Sequence, residues 1–229
     1  MQQLYKILDM CGGSYTPHYP LNTPLHYKSL FVGGLVRDYI KYLSSIGVTQ
    51  ITRISSFIYH IPMYDFSQFI EQVKDIDIST TLMPKQVAKL LDTNFPNLIR
   101  KRMFVTNAIG IHNANVEITS TRMDMECDGR HAKMKCGVSF FHDSLRRDFS
   151  FNALYLSTNG ILFDFHSGVE HLLNNKIYFI GDPEQKIKED YTRIKRYWDF
   201  SKRLGVNNEE IENTIDYIMK NSADPIIMR

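Results

Sequence analysis

The 229-residue sequence predicts an α+β fold, in which a sheet-containing head ends near residue 166 and a helical part follows. Short apolar segments, each bounded by glycine or polar residues, predict strands in the head. Towards the C-terminus the apolar residues recur instead at the spacing of an amphipathic helix. An apolar content of 43% with 23% charged residues is typical of a globular protein and excludes a disordered chain.

The first elements follow from local sequence patterns. Residues 1–10 begin a short helix, whereas residues 11–27 contain several glycines and prolines and are predicted to be irregular. Residues 30–32 are an apolar run that predicts a strand, which stops at a pair of glycines. Residues 35–44 are predicted to continue as a helix, because their apolar side chains fall on one side.

The rest of the head alternates strands with helices. Residues 45–72 are rich in aromatic side chains and fit no single element. The elements predicted after them are a strand at 75–78, a helix at 84–91 opened by Pro84, strands at 104–111 and 115–119, a polar loop at 124–137 and an apolar segment at 150–156 that fits a helix or a strand.

The C-terminal part is predicted to be helical. Ile187, Tyr191, Ile194 and Trp198 lie at positions i, i+4, i+7 and i+11, which places them on one stripe of a helix. Residues 208–220 predict another helix. The domain boundaries that follow are an N-terminal extension at 1–28, a head at 29–166 and a helical neck at 167–229.

Charge, cysteines and hydropathy narrow the class of protein. A net charge of +2 excludes a polybasic tail, so any contact with nucleic acid must come from a local patch. No apolar run approaches about 18 residues and the N-terminus has no secretory pattern, which predicts a cytoplasmic protein without a membrane partner. Cys11, Cys127 and Cys136 form no CxxC pair, and the spacing of the last two with His131 and His142 matches no common zinc module.

A glycine turn and three carboxylates are the first candidates for chemistry. Gly33 and Gly34 stand between a predicted strand and helix, where glycine lets the backbone approach a phosphate and a helix N-terminus attracts anions. Asp75 and Asp77 share one face of a strand, where Mg²⁺ would relieve their repulsion; a solvated strand edge is the alternative. Glu117 would join them if its strand pairs beside theirs.

These motifs belong to a longer series. Residues 33–38, with the sequence GGLVRD, are followed by DID at residues 75–77. Further segments are residues 128–131, 146–154, 164–168, 181–183 and 189–196. Over residues 29–205 this order resembles that of class II tRNA nucleotidyltransferases, which include CCA-adding enzymes and bacterial-type poly(A) polymerases. In that family the later segments are a flexible loop, a ribose-binding motif, an acidic and glycine step and a base-recognition helix.

The resemblance implies a polymerase β-like nucleotidyltransferase head with a mixed sheet, followed by a short helical neck. It implies that the 3′-hydroxyl of an RNA attacks the α-phosphate of ATP or CTP and releases pyrophosphate. Asp75, Asp77 and Glu117 would be catalytic, with Mg²⁺ as cofactor held by Asp75 and Asp77. The residues implied to bind the nucleotide are Gly33, Gly34, Arg37, Arg146, Arg147, Asp148, Asn152, Asp190, Arg193 and Arg196.

Separate roles follow within this nucleotide-binding set. The guanidinium groups of Arg146 and Arg147 match phosphate oxygens, with a salt bridge at a helix end as the alternative. Asp148 can accept from a ribose hydroxyl or orient one arginine, and Asn152 can also reach the sugar. We interpret Arg37 differently, as the partner of Asp38 in an ion pair that holds the glycine turn.

Asp190 and Arg193 are predicted to read the base. They are three residues apart and therefore neighbours on a helix. Cytosine and adenine both present an amino donor beside a ring-nitrogen acceptor, which a carboxylate and a guanidinium can bind. Uracil and guanine present the reverse pattern, so the pair would select C and A. A surface ion pair is the alternative.

The sequence differs from the family in two respects, and three functions remain as alternatives. Asp38 and Asp75 are farther apart than in the family, so residues 45–72 are interpreted as an insertion that packs on the fold, with a partner surface as the alternative. Further helical domains usually follow the base-recognition helix, so RNA would be held weakly here, by a self-associated copy or by a second subunit. The favoured function is CCA addition to tRNA; poly(A) addition and a non-catalytic nucleotide-binding subunit are the alternatives.

Overall fold

The computed structural model describes residues 2–10, 27–98, 100–103, 105–111, 114–125 and 134–221. The strands are β1 (Ser29–Val32), β2 (Thr52–Arg53), β3 (Ile58–His60), β4 (Asp75–Thr80), β5 (Arg100–Arg102), β6 (Thr106–Ile111), β7 (Ala114–Ser120), β8 (Arg122–Asp124), β9 (Met134–Cys136), β10 (Leu154–Leu156) and β11 (Ile161–Asp164). The helices are α1 (Gln2–Met10), α2 (Gly34–Ser45), α3 (Phe66–Glu71), α4 (Pro84–Asn94), α5 (Phe140–Ser144), α6 (Gly168–Leu173), α7 (Pro183–Glu189), α8 (Thr192–Leu204) and α9 (Glu209–Asn221).

Nine of these strands form one mixed sheet. Its order is β2-β3-β11-β10-β1-β4-β7-β6-β5, and β8 pairs with β9 separately. The pair β4 and β7 is parallel, while the other pairs described are antiparallel. The α+β prediction of a mixed-sheet head followed by helices is therefore confirmed.

Alternation along the central strands decides which side chains face the main core. Ile76 and Ile78 of β4 are buried in it, as are Val116 and Ile118 of β7. Because successive side chains of a strand point to opposite faces, the residues between them, Asp77 among them, lie on the other face of the sheet. The apolar residues of these strands thus fix the position of the acidic ones.

The aromatic-rich residues 45–72 pack on the head. The hairpin of β2 and β3 extends the sheet beside β11, and α3 buries Phe66 and Ile70. The hydroxyl of Tyr39 in α2 donates to the backbone carbonyls of Pro62 at 3.0 Å and Tyr64 at 2.8 Å. These contacts join the segment to the main core.

The predicted helix stripe near the C-terminus is wrong. Instead of one helix through Trp198, α7 ends at Glu189 and α8 begins at Thr192. Asp190 lies between them with an extended backbone, and its carboxylate accepts from Thr192 N at 3.0 Å and from the Thr192 hydroxyl at 2.6 Å. This contact stabilises the turn between the two helices. In α8, Tyr197 is buried while Trp198 is 44% exposed.

Three smaller differences concern the head. The predicted loop at 124–137 begins and ends in β8 and β9, while its motif at 128–131 lies outside the described residues. Strand β5 was not predicted, and residues 150–156 form a 3-10 turn at Ser150–Asn152 before β10.

Among the helices of the described residues, none combines the length and apolar character needed to span a bilayer.

Candidate active site

The turn after β1 brings backbone against a carboxylate. Gly33 has φ +72° and ψ −134°, a conformation that residues with a side chain rarely adopt. A Cβ atom at this position would lie 3.1 Å from Oδ2 of Asp77, so the close approach depends on glycine. Helix α2 begins at Gly34, which places its N-terminus beside the same carboxylate.

The register of the sheet brings the predicted acids onto one face. Asp77 pairs with Val32 of β1 on one side and with Glu117 of β7 on the other. Paired residues of neighbouring strands share a face and lie about 5 Å apart. Asp75 lies two residues before Asp77 and so shares that face. The strand pairing that was the condition for Glu117 to join Asp75 and Asp77 is therefore present.

The three acids offer the donors that a divalent cation prefers. The pKa of Asp77 is raised by burial and, further, by the charges of Glu117 and Asp75, while Arg147 opposes the shift. Their repulsion would be relieved by a cation, and carboxylate oxygens suit Mg²⁺. Within the described part of the chain, no three His, Cys, Asp or Glu side chains are closed into a metal cage. The acids therefore fit a cation by donor chemistry and shared face rather than by a preformed cage.

A cavity of about 1080 Å³ lies between the glycine turn, the sheet and the helices α7 and α8. Small-molecule sites typically measure about 300–1,000 Å³, so a nucleotide fits this space. The predicted site residues on its wall are Gly33, Gly34, Arg37, Asp77, Arg146, Arg147, Asp148, Asn152, Asp190, Arg193 and Arg196. Asp75 and Glu117 lie beside Asp77 on the sheet, outside this wall.

Arg146 and Arg147 are held by an acid that the sequence analysis missed. Asp143, fully buried in α5, accepts from Arg146 Nε at 2.8 Å and from Arg147 Nη2 at 3.3 Å. Its carboxylate also accepts from the Tyr155 hydroxyl at 2.9 Å and from Arg122 N at 3.1 Å. The arginines thus form salt bridges at the C-terminal end of α5, as the alternative interpretation of this motif expected. The sequence does carry a signal for this pairing, because Asp143 lies three residues before Arg146 and four residues before Arg147.

The ionised form of Asp143 is strongly favoured. Burial alone would raise its pKa, but the charges of Arg147 and Arg146 and the Arg122 amide outweigh burial and hold the pKa below its usual value of 3.8. A carboxylate with a depressed pKa stabilises the folded state above its unfolded pKa, and this contribution is lost as the pH falls through the folded pKa.

We therefore expect a pH-dependent cost of Asp143→Asn. At neutral pH the variant should lose about 3–5 kcal/mol of unfolding free energy, because two partly buried guanidinium groups lose their counter-ion. The difference from the wild type should shrink as the pH falls from the ordinary pKa of 3.8 through the lower folded pKa, since the unfolded wild-type chain then binds a proton that the folded chain does not. Urea unfolding at pH 7 and near pH 3 measures both values. A difference that is the same at the two pH values would contradict this explanation.

Asp148 and Asn152 serve protein contacts in this structure. Asp148 accepts from Phe149 N at 2.7 Å, from Asn152 Nδ2 at 3.1 Å and from Arg196 Nη1 at 3.2 Å. The side-chain oxygen Oδ1 of Asn152 accepts from Arg37 Nη1 at 2.9 Å. Of the two roles predicted for Asp148, the contact with Arg196 fits the orientation of an arginine. A ribose hydroxyl at Asn152 would have to share or displace these bonds.

Arg37 connects the glycine turn to the neck. It forms the predicted ion pair with Asp38, through Nε at 2.8 Å and Nη2 at 3.0 Å. Its guanidinium carbon also lies 4.9 Å from the centre of the Phe200 ring in α8. This cation–π contact fixes the head against the helix that carries Arg193 and Arg196.

Asp190 and Arg193 are not paired on one helix as predicted, because Asp190 lies in the break between α7 and α8 while Arg193 lies in α8. Arg193 donates through Nη1 to Lys186 O at 2.7 Å and to Glu189 at 2.8 Å, and through Nη2 to Arg146 O at 3.0 Å. Both residues still line the cavity. Burial opposes ionisation of Asp190, but the hydrogen bonds from Thr192 outweigh it and lower its pKa.

Two residues on the wall of the cavity carry a buried donor that makes no hydrogen bond among the described residues. The Nε atoms of Arg122 and Arg193 are both buried without a hydrogen bond among the described residues. Arg122 Nε still has an ion-pair partner, because it lies 3.6 Å from Asp124 Oδ1. Arg122 carried no motif signal. The other residues of the wall that were not assigned to nucleotide binding are Met123, Asp124, His142, Leu145, Lys186, Glu189, Asp199, Phe200 and Arg203.

The chain matches known proteins over the region that builds this cavity. Residues 67–178 match the Poly A polymerase head domain family. The chain is 38% identical over 133 residues to the human mitochondrial CCA tRNA nucleotidyltransferase 1, an alignment that covers 57% of this chain and 31% of the relative. It is 29% identical over 201 residues to the zebrafish (Danio rerio) enzyme of that name, covering 86% of this chain and 44% of the relative.

The fold also matches a solved structure. The Bacillus stearothermophilus CCA-adding enzyme in complex with CTP superposes with a TM-score of 0.63 at 22% identity, over 96% of this chain and 45% of that one. This likeness concerns the fold. The present chain spans less than half the length of these proteins.

Proposed function

We propose, from the premise that residues 67–178 belong to the poly(A) polymerase head domain family, that this chain adds CMP and AMP from CTP and ATP to an RNA 3′ end. A tRNA is the favoured acceptor, since the relatives' names specify CCA addition to tRNA. The observation that carries the proposal is the single cavity that joins the glycine turn, Asp77, paired arginines and Asp190 with Arg193. The relatives include mitochondrial enzymes, so the cytoplasmic location stays a prediction.

Each part of the cavity has a role in this reaction. The backbone of Gly33 and Gly34 lies close enough to Asp77 to receive a triphosphate beside the carboxylates, and the N-terminus of α2 favours its negative charge. Arg146 and Arg147 bind phosphate oxygens and hold the α-phosphate in place. The attacking 3′-hydroxyl of the RNA then displaces pyrophosphate in line.

The acidic strands provide for a metal ion. Asp75 and Asp77 would hold Mg²⁺, with Glu117 beside them, and nucleotidyltransferases of this family generally use a divalent metal. When bound, Mg²⁺ supplies positive charge that stabilises the phosphate oxygens and lowers the pKa of a hydroxyl. Because all three carboxylates are present on the paired strands β4 and β7, we favour an enzyme over a non-catalytic nucleotide-binding subunit.

The acceptor is tested by direct transfer. The full chain is incubated with Mg²⁺ and labelled CTP or ATP, together with either a tRNA that lacks its terminal CCA or an unstructured RNA. We expect defined addition of C and A to the tRNA. Long A-tracts on both RNAs would show poly(A) addition instead, and the absence of any incorporation with either RNA would contradict the proposal.

The base-reading role predicts a change in nucleotide selectivity. Asp190→Ala should lower the preference for CTP over UTP by roughly 10- to 100-fold, because the acceptor for the cytosine amino group is lost. The ratio of the two kcat/KM values within one variant is the measurement, since it does not depend on how much protein is folded. Asp216→Ala, at an exposed position in α9, is the control and should leave the ratio unchanged. An unchanged ratio in Asp190→Ala would remove Asp190 from base recognition.

A further inference from the structure

Asp143 occupies a position that no family motif assigned to it. It is one of the few acidic side chains in the described residues that is fully buried, with a relative exposure of 0%. Burial of a charge is costly unless the charge is paired and hydrogen-bonded, so the contacts of Asp143 must offset the cost of burying it. These contacts come from the turn after α5 and from the strands β4, β8 and β10.

The first contacts hold the two phosphate-binding arginines. Arg146 places Nε and Nη2 each 2.8 Å from Oδ1 of Asp143, and Arg147 places Nη2 3.3 Å from Oδ2. The two cations therefore share one counter-ion. About a fifth of each side chain, 22% for Arg146 and 17% for Arg147, stays exposed, and both line the cavity.

The remaining contacts fix the carboxylate itself. The Tyr155 hydroxyl accepts from Arg147 Nε at 3.1 Å and donates to Asp143 at 2.9 Å, so it closes a ring with the acid and the arginine. Ser79 Oγ donates to the same carboxylate at 3.2 Å. Ser79 lies two residues after Asp77 on one face of β4. Asp143 thus ties the arginines to the strand that carries the acid proposed to be catalytic.

We propose that Asp143 is the positioning residue of the triphosphate site: it holds Arg146 and Arg147 so that both guanidinium groups meet the phosphates of the incoming nucleotide. The inference rests on the proposed function. Without the charge of Asp143, the two cations repel each other and lose their common orientation. The phosphates are common to all nucleotides, so the base should not matter to this effect.

The test measures binding of triphosphate with and without a base. Inorganic tripolyphosphate and CTP are titrated calorimetrically into the full chain and into Asp143→Asn. We expect both dissociation constants to rise by the same factor, about tenfold or more. In transfer assays KM should rise by the same factor for CTP and ATP. A merely structural role would lower the active fraction and leave KM and the dissociation constants unchanged, which would overturn the inference.

Two further variants keep the test decisive if Asp143→Asn does not fold. Tyr155→Phe retains the carboxylate and the packing but removes one hydrogen bond from each partner, and should raise the tripolyphosphate dissociation constant by about threefold; no change would overturn the inference. Asp164→Asn is the matched control. Asp164 is also buried, at 3% exposure, but it binds the backbone amides that start α6, so its loss should change stability and not binding. Failure of the wild-type chain to bind CTP at all would instead overturn the proposed function.

Discussion

Replacing Asp77 by alanine is expected to lower the rate of nucleotidyl transfer by about 10³-fold or more, while nucleotide binding partly survives. Asp77 is the acid that lies on the wall of the cavity, and it pairs with Glu117 on the neighbouring strand. Its Oδ2 atom lies 3.1 Å from the place where a Cβ atom on Gly33 would be. Loss of a group that helps to hold a catalytic metal removes several kcal/mol of transition-state stabilisation. Binding survives in part because Arg146 and Arg147 remain in place.

Single-turnover transfer and CTP binding should both be measured on Asp77→Ala. Asp216→Ala, an exposed change in α9, serves as the control and should match the wild type in both. Full activity in Asp77→Ala would remove the catalytic assignment of the acidic strands. Loss of binding to the same extent as loss of transfer would show that Asp77 acts in binding rather than in catalysis.

Gly33→Ala is expected to lower transfer by about 10²-fold or more, a larger effect than its cost in stability explains. Its positive φ strains any side chain by about 1–3 kcal/mol. The added Cβ would also lie 3.1 Å from Oδ2 of Asp77, so either the carboxylate or the turn must shift. Small displacements of catalytic groups cost rate steeply.

Gly47→Ala separates strain from the contact with Asp77. Gly47 has a similar φ of +77°, but a Cβ there would meet nothing within 4 Å. Both variants should lose stability in thermal unfolding. Transfer per folded molecule should fall in Gly33→Ala alone, and an equal fall in both variants would contradict the role of the close approach.

The sheet and its acids could be predicted because alternation along a strand is a local property. Once Asp75 and Asp77 were placed on one face of a strand, only the neighbouring strand was unknown. The apolar neighbours of Glu117 fixed its face, and the parallel pairing of β4 and β7 then brought it beside Asp77. Which strands pair is set by tertiary packing, which a single sequence does not specify.

Three features could not be predicted in the same way. The break at Asp190 was hidden because the apolar residues on both sides happen to continue one helical stripe, although an aspartate that accepts from the amide two residues later is also a turn signal. The role of Asp143 depends on Tyr155, twelve residues away, as well as on the nearby arginines. The partners of Arg193 lie on α7 and beside α5, and such contacts across elements leave no periodic pattern.

The balance between pyrophosphate release and RNA extension tests the proposed reaction most directly. The full chain is incubated with Mg²⁺, CTP and ATP and a tRNA that lacks its terminal CCA, and the 3′ ends are sequenced while pyrophosphate is quantified. One pyrophosphate should appear for each C or A added, and both should disappear in Asp77→Ala. Extension without matching pyrophosphate release, or neither product from a chain that binds CTP, would contradict nucleotidyl transfer at this site.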